Sequence, residues 1–198
     1  MPLILKPFLR LLNKDMNMDN CIYAGKYINF LKLGSWEFVK RSNCNGAVVV
    51  VAITNNNELI FVEQFRIPIN SYCIEFPAGL VGDENEDETI VQAAYKELIE
   101  EAGYAANNIK DFGVFYSSPG LADEEVNYCL ATNLEKVSDG GGVGNEDIKV
   151  HIVPSSRVSI WLSEQRGLGK KISSNVAAGL SFGLIEMLNR SVENLPKV

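Results

Sequence analysis

Residues 82–104 read GDENEDETIVQAAYKELIEEAGY, and this stretch decides the fold. Its second half places Glu97, Glu100 and Glu101 shortly before Gly103. Side chains three and four positions apart share one face of a helix, so these carboxylates would repel one another. A divalent cation removes that repulsion, because hard cations such as Mg²⁺ prefer carboxylate oxygens. Clustered acids usually mark a solvated helix face, so the surrounding residues must decide between the two.

The same stretch has the pattern of an amphipathic helix. Asp87 is the candidate N-cap, because its side chain accepts hydrogen bonds from free backbone N–H groups. Ile90, Ala94 and Leu98 recur at a spacing of four, which predicts a stripe facing the core. Gly103 fits the position just after a helix, where a left-handed backbone is common. The glutamates therefore lie off the buried stripe.

Composition excludes several classes of protein. A chain of 198 residues with 46% hydrophobic content fits one well-buried core with an additional arm, and it is not disordered. A net charge of −7 argues against nucleic acid as a partner, because a phosphate backbone binds clustered Lys and Arg. Membrane association is not expected either, since no apolar run reaches the roughly 18 residues of a membrane span. A small anionic ligand stays possible, because a metal ion supplies a local positive field.

Cysteine and histidine usage argues against a zinc site. The four cysteines are widely spaced without a C-x-x-C pair, and His151 is the single histidine. We interpret the cysteines as reduced thiols of a cytoplasmic protein. His151 lies in a strand-like run and is predicted to pack there rather than to catalyse.

The rest of the chain predicts an α+β fold, with a mixed β-sheet between helices. Runs at Tyr27–Leu33 and Trp36–Lys40 predict an antiparallel hairpin, and residues 46–54 have the continuous apolar run of a strand buried on both faces. We expect an arm over residues 1–43 and one domain over residues 44–198. The other predicted elements are strands at 59–65, 72–76, 112–117, 126–132 and 148–153, a helix at 155–164 capped by Ser155 or Ser156, and a helix at 174–189.

Residues 82–104 resemble the Nudix box, the signature of the Nudix hydrolases. The fixed glycines and glutamates match, including Gly82 and Glu88, and the one departure is Lys96 where the family has Arg. The resemblance implies an α/β/α sandwich and hydrolysis of a nucleoside diphosphate linked to another group. Lys96 keeps the charge but loses the forked hydrogen bond by which that arginine orients a glutamate. We expect reduced precision rather than lost activity.

The resemblance also implies the cofactor, Mg²⁺ or alternatively Mn²⁺. Glu97 and Glu101 match the principal metal ligands, and the carbonyl of Ala78 matches a further ligand position. Glu100 assists the metal and is also a candidate catalytic residue. Metal ions neutralise diphosphate oxygens and lower the pKa of the attacking water.

Three segments outside the box resemble the ADP-ribose pyrophosphatases and related ADP-sugar diphosphatases. Pro119 stands near the position associated with that subfamily, and the fork of Arg66 suits phosphate oxygens. By the same resemblance Trp36 stacks on adenine, Glu37 accepts from its amino group and Arg41 helps to hold the diphosphate. The plainer alternatives are a turn at Pro119, a surface ion pair at Arg66 and a core tryptophan at Trp36.

The glycine-rich segment 138–147 resembles the subfamily loop whose glutamate activates water. Glu146 aligns best, with Asp147 and Glu125 as alternatives, and ordinary loop acids are the plainer reading. We predict a mobile loop, because glycines suit a segment that closes on substrate and then opens.

Together these features predict a Mg²⁺-dependent enzyme that splits ADP-ribose into AMP and ribose 5-phosphate. From the resemblance alone we expect a homodimer, in which the hairpin reaches the partner and completes its site. Two alternatives stay open. One is a pyrophosphatase for another nucleoside diphosphate sugar such as GDP-mannose, and the other is a non-catalytic Nudix nucleotide-binding module.

Overall fold

The computed structural model describes residues 20–182, which fall into two compact units. The first unit combines the chain up to Asn43 with Tyr116–Glu124. The second unit consists of Cys44–Phe115 and the chain from Glu125 onward. Nothing in the sequence indicates that residues 116–124 accompany the N-terminal segment.

Strands dominate the order of elements. In chain order they are β1 (Cys21–Ala24), β2 (Ile28–Leu33), β3 (Trp36–Arg41), β4 (Ala47–Ile53), β5 (Glu58–Arg66), β6 (Ser71–Glu75), β7 (Ala78–Leu80), α1 (Ile90–Glu97) with a π-helical turn (Leu98–Ala102), β8 (Tyr104–Tyr116), β9 (Glu125–Lys136), β10 (Lys149–Pro154), α2 (Val158–Gly167), β11 (Lys171–Ile172) and α3 (residues 174–182). No helix within residues 20–182 is both long and apolar enough to cross a membrane.

The first unit is a three-stranded antiparallel sheet in the order β1-β2-β3. The predicted hairpin is confirmed, because β2 pairs with β3 from Ile28 opposite Arg41 to Leu33 opposite Trp36. The sequence does not predict β1, whose four residues are mostly exposed and give no apolar alternation. Residues 116–124 join this unit through β3, where the Val39 N–H donates to the Leu121 carbonyl over 2.9 Å.

The second unit is built on a mixed sheet in the order β11-β6-β5-β4-β9-β8, with β10 on β5 and β7 on β4. Central β4 pairs in parallel with β9 and antiparallel with β5 and β7. Val48 and Val50 pack in a core cluster with α1, whereas Val49 and Val51 pack in a second cluster with α2 and α3. The sheet is therefore covered by helices on both faces, which confirms the predicted burial of this strand on both sides.

Helix α1 begins two residues later than predicted, and Asp87 is not its cap. Thr89 is the N-cap: its hydroxyl accepts from the Gln92 N–H, and the Gln92 side chain accepts from the Thr89 N–H over 2.9 Å. This reciprocal pair is a capping box. It satisfies donors at the helix start that a lone Asp87 cap would leave unpaired.

The far end of α1 follows the predicted pattern. Ala94 and Leu98 are fully buried, and Ile90 packs on the same cluster, so the core-facing stripe is confirmed. Past Glu97 the helix widens into the π-helical turn, which ends at Gly103 with a φ of 78°. That left-handed backbone is the reason a glycine stands there.

The predicted serine cap of α2 is wrong. Ser155–Arg157 form a short 3₁₀ turn instead, and Arg157, which precedes α2, makes no side-chain capping bond within the described part of the chain. The last predicted helix is present over residues 174–182, and its remainder to residue 189 lies outside the described residues.

Candidate active site

Glu97, Glu100 and Glu101 lie where α1 changes its winding. Glu97 is the last residue of α1, and Glu100 and Glu101 belong to the π-helical turn. Glu101 is only 3% exposed, and the other two are half-buried. Single π-helical turns within helices are frequent at functional sites. A carboxylate buried so deeply needs a partner that offsets its charge.

Strand β7 brings backbone to these carboxylates. The Ala78 N–H donates to Glu101 Oε2 over 2.9 Å. The Glu97 carboxylate lies so close to Gly79 that a Cβ at this position would collide with it. The structure thus brings Ala78 to the predicted metal ligands, and a side chain at position 79 would displace the Glu97 carboxylate.

Burial is the main reason why both carboxyl groups hold protons unusually tightly. Burial raises the pKa of Glu101 to about 8, and repulsion from Glu97 and Glu146 adds to the shift. Burial likewise raises the pKa of Glu97 to about 7, with repulsion from Glu100 and Glu146 adding to it. Such crowding of acids is common at functional sites. A cation placed among them would relieve both causes.

The donor chemistry of this cluster fits a hard divalent cation. Carboxylate oxygens are the ligands that Mg²⁺ prefers, and this ion keeps several waters and needs only one or two carboxylates from the protein. Within residues 20–182, no three Asp, Glu, His or Cys side chains converge as a preformed cage. The cluster therefore suits an ion that completes its own shell with water and substrate oxygens.

Lys96, the departure from the Nudix box, bonds to the beginning of the box. Its Nζ donates to Glu84 Oε2 over 2.7 Å, and Glu84 is largely exposed. This hydrogen bond is the main cause of the raised pKa of Lys96, with smaller attractions from Glu100 and Glu97. Lys96 thus forms a surface ion pair with Glu84, and it influences Glu97 and Glu100 only through its charge.

Arg66 forms a bidentate ion pair with the buried Glu75. Its Nε and Nη2 donate to the two carboxylate oxygens over 2.7 and 2.8 Å. The hydrogen bond to Glu75 raises the pKa of Arg66 and outweighs the opposing effect of burial. The negative charge of Glu101 raises this pKa further. The forked edge of Arg66 is therefore engaged within the protein, as in the ion pair that the sequence left open. Its positive charge lies within reach of the glutamate cluster.

Backbone hydrogen bonds anchor the first half of the glycine-rich segment, and the opening and closing of this loop stays a prediction. The Gly141 N–H donates to the Glu101 carbonyl and the Gly142 N–H to the Glu100 carbonyl, each over 2.9 Å. These bonds satisfy acceptors that a helix end leaves free. Gly140, at a φ of 68°, sits so close to the helix end that a Cβ would strike its backbone. The loop thus caps the turn that carries the glutamates.

Glu146 follows on the exposed part of this loop. The Val143 N–H donates to Glu146 Oε2 over 2.9 Å. The charge of Glu146 contributes to the raised pKa of both Glu97 and Glu101. The structure therefore brings this predicted base into electrostatic range of the cluster. Asp147 is exposed beside it, and Glu125 is the first residue of β9.

Four of the residues predicted to bind the substrate, Trp36, Glu37, Arg41 and Pro119, lie in the first unit, whereas Arg66 belongs to the second. Trp36 begins β3 and is 62% exposed, so the alternative of a core tryptophan is wrong. Glu37 accepts from Lys32 on the neighbouring strand over 2.9 Å, and both side chains are exposed. An exposed ring beside a charged pair is free to stack on a flat ligand.

Arg41 and Pro119 belong to the same unit. Arg41 donates through Nε to Glu124 Oε1 over 2.5 Å, and the Ser117 hydroxyl donates to the other oxygen of Glu124 over 2.8 Å. Glu124 thereby holds both ends of the exposed segment that contains Pro119 against β3. The sequence gives no signal for the pair with Arg41, because Glu124 lies 83 residues away from it in the chain.

Glu63, His151 and Lys170 form a second charge network. Glu63 Oε2 contacts His151 Nε2 at 2.7 Å and accepts from Lys170 over 2.8 Å. Burial lowers the pKa of His151, while the bond to Glu63 opposes the shift. The His151 ring also packs against Trp161. His151 therefore lies packed on β10, as predicted, and its role is to tie strands to α2.

Comparison with known proteins places these observations in a family. The family profile of the NUDIX domain matches residues 45–165. The chain is 36% identical to an ADP-ribose pyrophosphatase of Bacillus subtilis over 124 residues, 60% of this chain and 65% of the relative. It is 34% identical to a GDP-mannose pyrophosphatase of Salmonella arizonae over 121 residues, 57% of this chain and 61% of the relative. In both matches the chain spans less than two thirds of the relative's length.

The fold is similar to that of a solved structure described as an ADP compounds hydrolase. The TM-score is 0.64 at 21% sequence identity, over 86% of this chain and 91% of the other. At that identity the likeness supports the fold alone, and it confirms the mixed sheet between helices. The domain match spans more than half of the chain and contains the whole glutamate-bearing helix. The chain therefore belongs to the Nudix hydrolase family.

Proposed function

We propose that this protein is a Mg²⁺-dependent pyrophosphatase that splits ADP-ribose into AMP and ribose 5-phosphate. The observation that carries the proposal is the buried cluster of Glu97 and Glu101, with pKa values raised to about 7 and about 8. Acids held in this way favour a divalent cation. Mn²⁺, which also accepts oxygen ligands, is the alternative ion.

The cluster divides into ligands and a base. Glu97 and Glu101 hold the metal, Glu100 assists, and the backbone at Ala78 completes that side of the site. When bound, the metal neutralises diphosphate oxygens and makes the attacking water more acidic. Glu146 is the general base, because a loop carboxylate within range of the cluster is suited to accept a proton from water.

The chemistry is a displacement at phosphorus. The water oxygen attacks one phosphorus of the diphosphate, and the bond between that phosphorus and the bridging oxygen breaks. One proton of the water passes to the carboxylate of Glu146, and the other leaves the phosphate product to solvent. Arg66, already oriented by Glu75, contributes positive charge beside the diphosphate oxygens.

The choice of adenine rests on the first unit. The exposed Trp36 ring is available to stack on a base, a contact worth about 1–3 kcal/mol. Glu37 and Arg41 hold surface ion pairs that can be exchanged for contacts to the ligand. Pro119 fixes the turn of the segment docked on β3. The name of the Bacillus subtilis relative supports ADP-ribose as the substrate.

GDP-mannose is the second candidate substrate, favoured by the 34% identity to a GDP-mannose pyrophosphatase. The two identities differ too little to decide the base. A cytoplasmic homodimer, with the hairpin completing the partner's site, also belongs to this proposal and rests on the family resemblance.

A substrate panel tests the proposal. The purified protein is incubated with ADP-ribose, GDP-mannose and other nucleoside diphosphate sugars, in Mg²⁺ and in EDTA, and the nucleoside monophosphate is measured by chromatography. We expect the highest kcat/KM for ADP-ribose and no turnover in EDTA. Turnover that survives chelation would contradict the metal-based mechanism. Tight binding of ADP-ribose without turnover in Mg²⁺ would instead identify a binding module.

A further inference from the structure

The loop that caps the glutamate turn, residues 138–148 (the capping loop), is closed on itself by backbone bonds. The Ile148 N–H donates to the Gly141 carbonyl over 3.2 Å, and the Glu146 N–H donates to the Val143 carbonyl over 3.2 Å. Ile148 is 7% exposed and thus anchored in the core. The loop is therefore pinned at the helix end on one side and at the sheet on the other.

Gly142 lies where the two halves of the capping loop meet. Its N–H bonds to the Glu100 carbonyl, and its φ is 87°. A Cβ at this position would stand 2.6 Å from the Glu146 Cβ, 2.7 Å from Glu146 Oε2 and 3.1 Å from Ile148 Cδ1. The space that a side chain would need is thus filled by the Glu146 carboxylate.

We propose that Gly142 is a positioning residue, which holds the carboxylate of Glu146 at the reaction centre by leaving room for it against the glutamate turn. The inference rests on the proposed role of Glu146 as general base. Because Gly142 has no side chain, the Glu146 carboxylate can lie against its Cα. The Val143 N–H then holds the carboxylate by a hydrogen bond. The Gly142 N–H also donates to the Glu100 carbonyl, so a backbone hydrogen bond connects the loop that carries the base to the turn that carries the metal ligands.

A displaced base loses much of its effect, since a misplacement of about 1 Å can cost on the order of 10²-fold in rate. We therefore expect Gly142→Ala to lower kcat for ADP-ribose by about tenfold or more, with little change in KM. The KM for substrate depends on contacts that the Glu146 carboxylate does not make in this proposal.

Gly144→Ala is the matched control. Gly144 lies in the same loop at a φ of 65°, and a Cβ there would meet nothing within 4 Å among residues 20–182. Both substitutions strain a left-handed backbone, but only the one at Gly142 displaces Glu146. We expect Gly144→Ala to leave kcat unchanged.

A double-mutant cycle separates positioning from general damage to the fold. Once Glu146→Gln has removed the base, Gly142→Ala should lower kcat no further, because residues that act as a unit are not additive. Additive losses, or a Gly142→Ala variant as active as Gly144→Ala, would overturn the inference while leaving the proposed function intact. A Glu146→Gln variant with full activity would refute the base and the inference together, although the metal-dependent hydrolysis would stand.

Amide hydrogen exchange measured by NMR in the metal-free protein gives a second readout. Glu146→Ala should speed exchange of the Val143 amide and leave the Gly141 and Gly142 amides protected, since their acceptors belong to the helix end. Gly142→Ala should speed Val143 exchange, whereas Gly144→Ala should not. Unchanged exchange at Val143 in Glu146→Ala would show that the carboxylate is not held, and would overturn the inference even if Gly142→Ala failed to fold.

Discussion

The two units hold their functional side chains in opposite ways. In the second unit Glu101 is 3% exposed and accepts a backbone hydrogen bond, whereas in the first unit Trp36 is 62% exposed at the start of a strand. Burial shifts the proton affinity of Glu101, while exposure leaves the Trp36 ring open to ligands. Under the proposed function, reactivity depends on the protein interior and selection of the base depends on the surface.

The largest effect is expected from Glu101→Gln, which replaces a buried carboxylate, the proposed metal ligand, by a neutral side chain of the same shape. We expect kcat to fall by on the order of 10² or more, because a metal ligand is lost. Thermal stability in EDTA should not fall, since the amide carries no buried charge. Steady-state kinetics and melting curves provide the measurement.

Glu84→Gln is the matched control for that variant. Glu84 belongs to the same box but is exposed and pairs only with Lys96 among the described residues. The activity of the Glu84→Gln variant should stay close to that of the wild type. A Glu101→Gln enzyme with the activity of Glu84→Gln would remove Glu101 from the metal site.

Trp36→Ala probes the surface side of the contrast. Loss of stacking on the base should raise KM for ADP-ribose by roughly 5- to 150-fold, with kcat much less affected. Tyr23→Ala is the control, because Tyr23 is an equally exposed aromatic of the same unit, at 68%. An unchanged KM in Trp36→Ala, or an equal change in both variants, would show that Trp36 does not recognise the base.

The interior side of the contrast predicts a pH-dependent stabilisation by Mg²⁺. Glu97 and Glu101 titrate at about 7 and about 8 in the folded protein, above their ordinary value of 4.5. Their contribution to stability is therefore full below 4.5 and is lost as the pH rises through 7 and 8. If these carboxylates bind Mg²⁺ as proposed, the ion binds their deprotonated form and offsets that loss.

Melting temperatures in Mg²⁺ and in EDTA provide the measurement. The increase in melting temperature caused by Mg²⁺ should be larger near pH 8.5 than near pH 5.5. Comparison with EDTA at the same pH removes the pH dependence of the rest of the molecule. In Glu101→Gln the pH dependence of this difference should shrink. A shift by Mg²⁺ of equal size at both pH values in the wild type would contradict the assignment of the ligands.

The smallest effect is expected from Lys96→Arg, which restores the arginine of the Nudix box. A forked donor can orient a glutamate, so we expect kcat to rise by about fivefold, the worth of one net hydrogen bond. Thermal stability should not change, because the pair with Glu84 is solvated. Lys136→Arg, at another surface pair, is the control. A fall in kcat would show that lysine is preferred at this position.

Local patterns explain what the sequence predicts correctly. The apolar stripe of α1, Gly103 at its end and the continuous run of β4 depend on neighbours within a few positions, and all three are confirmed. The N-cap is wrong although a local signal was present, since Thr89 and Gln92 form the spacing of a capping box. Strand β8 begins at Tyr104 rather than at the predicted residue 112, and the sequence does not indicate this because Asn107 and Asn108, residues typical of turns, interrupt its first half.

In the site, too, the sequence predicts features that depend on neighbouring positions and does not predict contacts between distant ones. The spacing of Glu97, Glu100 and Glu101 is local and readable. The bidentate engagement of Arg66 by Glu75 is a contact between strands, which the sequence admits only as an alternative. The anchoring of the capping loop depends on a run of positive φ angles. The sequence shows that the loop is rich in glycine, which permits such angles, but it does not show which contacts they produce.

Strand β4 has a consequence for how the chain folds. From Val48 to Val51 it presents the same side chain four times, so a slip by one position would exchange one core face for the other at little cost in packing. Its register must come from neighbours, and the parallel ladder that sets Val48 opposite Asn127 joins segments far apart in the chain. Loop closure has to precede that pairing, so formation of the central ladder should limit the folding rate.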